Sequence, residues 1–143
     1  MTSYVLDASV AAKWFLAADE PLSTEALQLL RAYTSGATAF LVPDLFFSEF
    51  ANVLWKAEQR GRCNALTADA ALKEIIQRNI PTFPAAGLIQ PALQLARAYR
   101  RAVYDCVYVA LAVQTNTRLV TADERLVNSL AGQLPVTWLG MVS

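Results

Sequence analysis

The sequence predicts a single α/β domain in which helices cover both faces of a parallel β-sheet. Short apolar runs alternate with longer segments of helical periodicity, as they do in such folds. The runs lack a polar alternation, which is typical of strands buried on both faces. The length of 143 residues is that of one domain, and no linker, repeat or low-complexity segment divides it. We therefore treat 1–143 as one domain.

In the first half of the chain, proline, glycine and capping residues separate the elements. The sequence predicts, in order, a strand at Tyr4-Val5-Leu6, a helix from about Ser9 to Leu16, a helix capped by Ser23 and ending near Tyr33, a strand at Phe40-Leu41-Val42, a helix from Leu45 to Arg60 with Asp44 as its N-cap, and a helix capped by Thr67 and ending near Asn79.

In the second half, residues 80–91 contain three prolines and Gly87, so they are predicted to be loop with a short strand near Thr82-Phe83. The remaining predicted elements are a helix from Pro91 to Tyr99, an almost wholly apolar segment from Val103 to Gln114, a strand at Leu119-Val120-Thr121, a helix from Asp123 to Leu130 and a strand at Val136-Thr137-Trp138.

The composition excludes several kinds of catalytic chemistry. The chain has no histidine, which excludes a Ser/His/Asp triad, a Cys/His protease, paired-histidine ribonuclease chemistry and His-ligated zinc. Cys63 and Cys106 do not make a four-thiolate site and are expected to be free thiols. Twelve basic and twelve acidic residues give a formal charge of zero, so the overall charge does not indicate a nucleic-acid partner. Acid–base or metal chemistry must then come from carboxylates.

Two aspartates stand where predicted strands end. Asp7 directly follows the first strand, and Asp123 comes one residue after the strand that ends at Thr121. Both fall at the carboxyl edge of a parallel sheet, where the ligand sites of open α/β sheets form. Local interpretations are also open, because Asp7 would cap the next helix and Thr121 with Glu124 would form a capping box beside Asp123.

Two further acids stand on predicted helices. Asp105 is the only charged residue between Ala102 and Val113, and a carboxylate in such a segment is costly unless a charge or metal ion compensates it. A structural Asp near a helix start stays open as the alternative. Glu49 lies between the apolar and polar faces of its helix, so its pattern alone fits a solvated side chain.

Four segments, taken in order, resemble the PIN domain family. They are Val5-Leu6-Asp7-Ala8-Ser9-Val10, Glu49-Phe50-Ala51-Asn52, Tyr104-Asp105-Cys106-Val107-Tyr108-Val109-Ala110-Leu111-Ala112 and Leu119-Val120-Thr121-Ala122-Asp123. More narrowly, the chain is similar to VapC-type toxins of toxin–antitoxin pairs over essentially its whole length. The resemblance implies a three-layer α/β/α sandwich with a central parallel sheet, and the activity of an Mg²⁺- or Mn²⁺-dependent endoribonuclease.

The resemblance also implies roles for individual residues. Carried over position by position, the catalytic metal ligands would be Asp7, Glu49, Asp105 and Asp123, and the supporting polar residues would be Ser9, Asn52 and Thr121. An all-oxygen donor set without imidazole or thiolate selects Mg²⁺ or Mn²⁺.

Local basic residues are expected to hold the RNA, and we predict Lys13, Arg100 and Arg101 for this role. Arg100 and Arg101 stand where a glycine-containing turn is common in the family. The resemblance further implies a homodimer held inactive by a VapB-like antitoxin protein.

Two other functions are open from the sequence: a PIN fold that serves as a non-catalytic binding module, and a housekeeping RNA-processing nuclease without an antitoxin. The sequence shows no signal-peptide pattern and no apolar run long enough for a membrane helix, so a cytoplasmic protein is expected.

Overall fold

The structure is a computed structural model that describes residues 1–16, 20–130 and 132–142. Within these ranges the strands are β1 (Thr2–Leu6), β2 (Thr38–Pro43), β3 (Thr82–Phe83), β4 (Arg118–Thr121) and β5 (Val136–Trp138). They form one five-stranded sheet in the order β3-β2-β1-β4-β5. Each neighbouring pair is parallel, with Tyr4 of β1 opposite Phe40 of β2 and Arg118 of β4. The predicted parallel sheet is confirmed.

Helices connect the strands. They are α1 (Ala8–Ala12), α2 (Ser23–Thr34), α3 (Leu45–Gln59), α4 (Ala65–Gln77), α5 (Ile89–Tyr99), α6 (Val103–Thr115) and α7 (Glu124–Leu130). Since parallel crossovers are right-handed, α1 to α4 cover one face of the sheet and α5 to α7 cover the other. In agreement, α2 packs on β2, whereas α6 lies across β1, β2 and β4. The three-layer α/β/α sandwich is confirmed.

The core follows from the apolar runs in the sequence. Val5 and Leu6 of β1 and Val42 of β2 are fully buried, and α6 is buried continuously from Cys106 to Ala112. A helix that is apolar on all sides must be covered on all sides. The sheet covers one side of α6 and α5 covers another. The solitary charge of α6, Asp105, therefore lies at the end of a core helix.

Two predictions about the first pair of helices are wrong in detail. The first helix ends at Ala12 instead of Leu16, and a turn follows from Lys13. Ser23 is the first residue of α2 and does not cap it. The residue before it, Leu22, has a left-handed backbone with φ of 65°, and the Ser23 hydroxyl donates to the carbonyl of Glu20. Ser23 thus closes the preceding turn.

The N-caps of α3 and α4 differ from the prediction in their side-chain bonds. Asn64 caps α4 instead of Thr67: its Oδ1 accepts a hydrogen bond from the backbone N–H of Thr67 at 2.8 Å. Asn is as good a cap as Ser or Asp, and the extended backbone at residue 64 suits that position. Asp44 occupies the N-cap position of α3, as predicted, but its side chain makes no capping bond: the carboxylate accepts instead from the N–H of Ala85, next to β3.

No helix in the described part of the chain combines the length and the apolar character needed to cross a membrane. Both Cys63 and Cys106 are free.

Candidate active site

The strand order creates a crevice at the carboxyl end of β1. The chain runs from β1 to β2 on one side and returns to place β4 on the other, which is the arrangement in which open α/β sheets form ligand sites. Asp7 follows β1 and Asp123 stands just beyond β4. The helices α3 and α6 bring Glu49 and Asp105 to the same crevice. The four predicted acids therefore come from four separate segments.

Asp7 is the centre of this cluster. Its Oδ2 accepts hydrogen bonds from Ser9 Oγ at 2.9 Å and from Thr121 Oγ1 at 2.5 Å. Part of Asp7 is accessible to solvent, but burial still raises the pKa of its carboxyl group, while the two hydroxyl donors lower it. Asp7 makes no capping bond to α1. Asp7 nevertheless occupies the N-cap position of α1, so the local interpretation holds for its backbone, while its carboxylate bonds to the two hydroxyls.

The hydroxyls of Ser9 and Thr121 join the two central strand ends. Thr121 is fully buried, and its Oγ1 also accepts from the N–H of Asp123 at 3.0 Å. The Oγ of Ser9 accepts from the N–H of Ala122 at 3.2 Å. Each hydroxyl donates to Asp7 and accepts from the turn after β4, so the turn and the carboxylate hold each other in place.

Glu49 projects from α3 into this environment. Its Oε1 is buried and has no hydrogen-bond partner among the residues of the three described ranges. Burial raises the pKa of Glu49 to about 7, with further increases from the charges of Asp7 and Asp105. The nearby hydroxyl of Tyr108 acts in the opposite direction. Glu49 is thus a carboxyl group that changes protonation near neutral pH.

Asp105 and Asp123 share one cation. The Nη2 atom of Arg101 lies 3.9 Å from Oδ2 of Asp105 and 3.9 Å from Oδ2 of Asp123. Burial and the charge of Asp7 raise the pKa of Asp105, and the Arg101 guanidinium opposes that increase. The Nε of Arg101 is buried and lacks a hydrogen-bond partner within the described ranges.

Asp123 also serves its own helix. Its Oδ1 accepts from the N–H groups of Arg125 at 3.1 Å and Leu126 at 3.3 Å, which are the bonds of a helix cap. Asp123 takes the position that the alternative interpretation assigned to Thr121, so the predicted capping box is wrong. One carboxylate oxygen caps α7, and the other lies near Arg101.

The other predicted residues lie around this cluster. Asn52 is exposed on α3, one turn after Glu49, and its side chain forms no hydrogen bond with any described residue. Arg100 is exposed, and its backbone is left-handed with φ of 55°. Lys13 forms an ion pair with Glu20, with 3.7 Å between Nζ and Oε2. Of the predicted basic residues, Arg101 is the one in contact with the acids.

Tyr108 is a site residue that the sequence analysis did not assign. It is buried, and its hydroxyl lies beside Glu49. Burial and the charges of Asp7 and Glu49 raise the pKa of the phenol, so it stays protonated. The available signal was its spacing of three residues from Asp105, which places both side chains on one side of α6.

The chemistry of this donor set fits a divalent cation. The side chains offer only oxygen, which suits Mg²⁺ or Mn²⁺, and one oxygen, Oε1 of Glu49, is buried without a partner. In the side-chain arrangement of the described ranges, no group of three or more Asp, Glu or Cys residues is already set to hold a metal ion. The carboxylates would therefore have to draw closer to share one.

The sheet order and the acidic crevice define an α/β domain with a carboxylate site at the topological switch point. The sequence pattern of the PIN domain matches residues 4–129, and the chain belongs to the PIN domain family. Within that family it is similar to the ribonuclease VapC9 of Mycobacterium tuberculosis, with 38% identity over 96 residues that cover 67% of this chain and 74% of the relative.

Solved structures agree on the fold. The crystal structure of PAE2754 from Pyrobaculum aerophilum superposes with a TM-score of 0.70 at 21% identity, covering 97% of this chain and 85% of that one. A chain of a toxin–antitoxin complex from Klebsiella pneumoniae superposes with a TM-score of 0.63 at 16% identity, covering 94% of this chain and 95% of that one.

Proposed function

We propose that this chain is an endoribonuclease, the toxin of a toxin–antitoxin pair, and that it hydrolyses RNA phosphodiester bonds with a carboxylate-bound Mg²⁺ or Mn²⁺ ion. The observation that carries the proposal is the convergence of Asp7, Glu49, Asp105 and Asp123 from four segments. They are close enough that the charge of Asp7 raises the pKa of both Glu49 and Asp105. A similar chain at 38% identity is named a ribonuclease.

The four carboxylates would hold the cation. A divalent ion bound there supplies a Lewis acid that lowers the pKa of bound water and stabilises negative charge on phosphate oxygens. Ionised carboxylates this close together repel one another, and a divalent cation bound between them would offset that repulsion. This chemistry needs no histidine, in agreement with the composition.

The protein's own groups would prepare the reaction. Ser9 and Thr121 fix the orientation of Asp7, because both donate to the same oxygen. The Oε1 atom of Glu49, which is buried without a hydrogen-bond partner among the described residues, would be available to the cation. Arg101 places positive charge beside Asp105 and Asp123, where it would attract a phosphodiester.

An antitoxin of the VapB type is the proposed protein partner, and two copies of this chain are the proposed assembly. The support for the first is the likeness of the whole fold to a chain of a toxin–antitoxin complex. Such a partner would silence the chain by covering the acidic crevice.

The test is RNA cleavage by purified protein. Total RNA is incubated with the protein plus Mg²⁺ or Mn²⁺, and with EDTA in parallel. We expect discrete fragments with either cation and none with EDTA. Asp105→Asn should abolish cleavage, because it removes one charge from the cluster without changing the shape of the side chain. Asp69→Asn is the matched control, since Asp69 is exposed on α4, outside the crevice.

Absence of cleavage by folded, antitoxin-free protein, across both cations and several RNAs, would refute the proposal. Equal cleavage by Asp105→Asn and the parent would also refute it, because the nuclease would then use another site or be a contaminant.

A further inference from the structure

The structure contains a groove that runs from the acidic crevice along α3. We propose that it binds the RNA strand on one side of the scissile bond and that its basic side chains, Lys56 and Arg60 above all, contact the phosphates there. We call it the α3 groove. The inference rests on the proposed ribonuclease function and names the path of its substrate.

Two adjoining depressions make up the α3 groove. The first, of about 280 Å³, is lined by Ser9 and Asp123 at the acidic end. The second, of about 260 Å³, is lined by Lys56, Arg60 and Arg62 at the far end. Leu16, Glu20 and Val53 line both. The two depressions therefore adjoin at these three residues, and taken together they extend from Asp123 to Arg60 and Arg62.

The spacing of residues on α3 explains why the two depressions adjoin. Glu49, Val53, Lys56 and Arg60 follow one another at intervals of four, three and four residues, so they form one stripe along the helix and its last turn. At 1.5 Å per residue, Arg60 lies about 16 Å along the axis from Glu49. One stripe thus carries an acid at the crevice, an apolar residue next to it and two cations beyond.

The charges along the α3 groove favour a polyanion. Lys56 and Arg60 are exposed and form no ion pair with the described residues. Glu20 binds Lys13 at 3.7 Å and Arg62 at 2.7 Å, which holds two more cations at the groove wall. Of the described residues that line the two depressions, four are basic and two, Glu20 and Asp123, are acidic, so basic side chains are in excess there. Basic side chains beyond a cleavage site are what a single-stranded RNA backbone requires.

The opposite side of the crevice has fewer basic side chains that could contact the RNA phosphates. Arg101 is already placed between Asp105 and Asp123, and Arg100 is a single exposed cation. Neither Arg100 nor Arg101 lines the α3 groove. The geometry therefore favours α3 as the main direction of the strand.

The test measures RNA binding without cleavage. In the full-length Asp105→Asn background, fluorescence anisotropy follows binding of a fluorescein-labelled single-stranded oligoribonucleotide of mixed sequence over a range of salt concentrations. Lys56→Gln/Arg60→Gln should weaken binding and flatten the plot of log K against log salt by about 1.4, because each phosphate contact on a single strand contributes about 0.7. Arg31→Gln/Lys73→Gln removes two exposed cations from α2 and α4 and should change neither quantity.

Cleavage kinetics separate the inference from the function on which it rests. In the parent with Mn²⁺, Lys56→Gln/Arg60→Gln should raise KM more than it lowers kcat. If the parent cleaves RNA and this variant matches it in affinity, salt dependence and KM, the α3 groove is refuted while the ribonuclease function stands. If the parent cleaves no RNA and its Asp105→Asn form binds none, both fail. A variant that cleaves normally but escapes inhibition by the antitoxin would assign the groove to the antitoxin, and would overturn the inference.

Discussion

Replacing Glu49 by Gln should make the protein more stable at neutral and alkaline pH when no divalent cation is present. The folded structure raises the pKa of Glu49 from 4.5 to about 7, so the folded protein binds this proton more tightly than the unfolded chain does. The stability that this group contributes is therefore present below pH 4.5 and is lost as the pH rises through 7. Above pH 7 the parent carries the full cost of an ionised Glu49, whereas the amide never ionises.

The size of the effect follows from the shift. A change from 4.5 to about 7 corresponds to about 3 to 4 kcal/mol at roughly 1.4 kcal/mol per pKa unit. Glu49 is only half-buried, so solvent screens part of its interaction with Asp7 and Asp105. We expect about 2 kcal/mol at pH 8, or about 6 °C in Tm for a chain of this length. Below pH 4.5 the difference should vanish.

The assay is thermal or urea unfolding in EDTA from pH 4 to pH 8.5. Glu58→Gln is the matched control, because Glu58 lies on the same helix and lines a different depression, next to Trp55 and Leu72. It should leave the pH dependence unchanged. Equal or lower stability of Glu49→Gln at pH 8 would refute the view that burial and neighbouring carboxylates make ionised Glu49 unfavourable.

The remaining predictions concern the cation, the hydroxyl bridge and a helix cap. Mg²⁺ or Mn²⁺ should raise the Tm of the parent, because a bound cation stabilises the folded state by mass action. The increase in Tm should be smaller in Glu49→Gln. Identical melting curves with cation and with EDTA would contradict the proposed metal site. Thr121→Val should lower the free energy of unfolding in urea by about 2 kcal/mol, because it removes the hydroxyl that bonds to the N–H of Asp123 and to Oδ2 of Asp7. Thr121→Ser keeps the hydroxyl and should lose much less. Equal losses in the two variants would instead point to packing of the methyl group. Asn64→Ala should lower the free energy of unfolding by about 1 kcal/mol, and Thr67→Ala should lower it by less than about 0.5 kcal/mol. The reverse order would show that Thr67 caps α4.

The parts of the fold that follow from the sequence are those decided by neighbours along the chain. Uninterrupted apolar runs predict β1, β2, β4 and β5 to within about two residues, since strands buried on both faces admit few polar side chains. Helix starts are less well defined. Asn64 and Thr67 are both good caps three residues apart, and only the backbone at residue 64 decides between them.

The residues of the candidate site also differ in how well the sequence predicts them. Asp7 and Asp123 are predictable because they end strands, and Asp105 because it is a lone charge in an apolar helix. Glu49 is different, since its helical pattern reports only which face of α3 meets the domain. Its surroundings come from Asp7 and Tyr108, which are distant in sequence. The α3 groove depends likewise on Glu20, whose ion pairs with Lys13 and Arg62 no local pattern predicts.

The position of β1 between β2 and β4 means that the candidate site is formed by residues from the whole chain. The first hundred residues supply Asp7 and Glu49, and the rest supplies Asp105 and Asp123. Thr121, which orients Asp7, reaches it only when β4 pairs with β1. A ribosome that is translating this chain therefore exposes half a site for most of the synthesis. The four carboxylates would come together only after β4 has been made and has paired with β1.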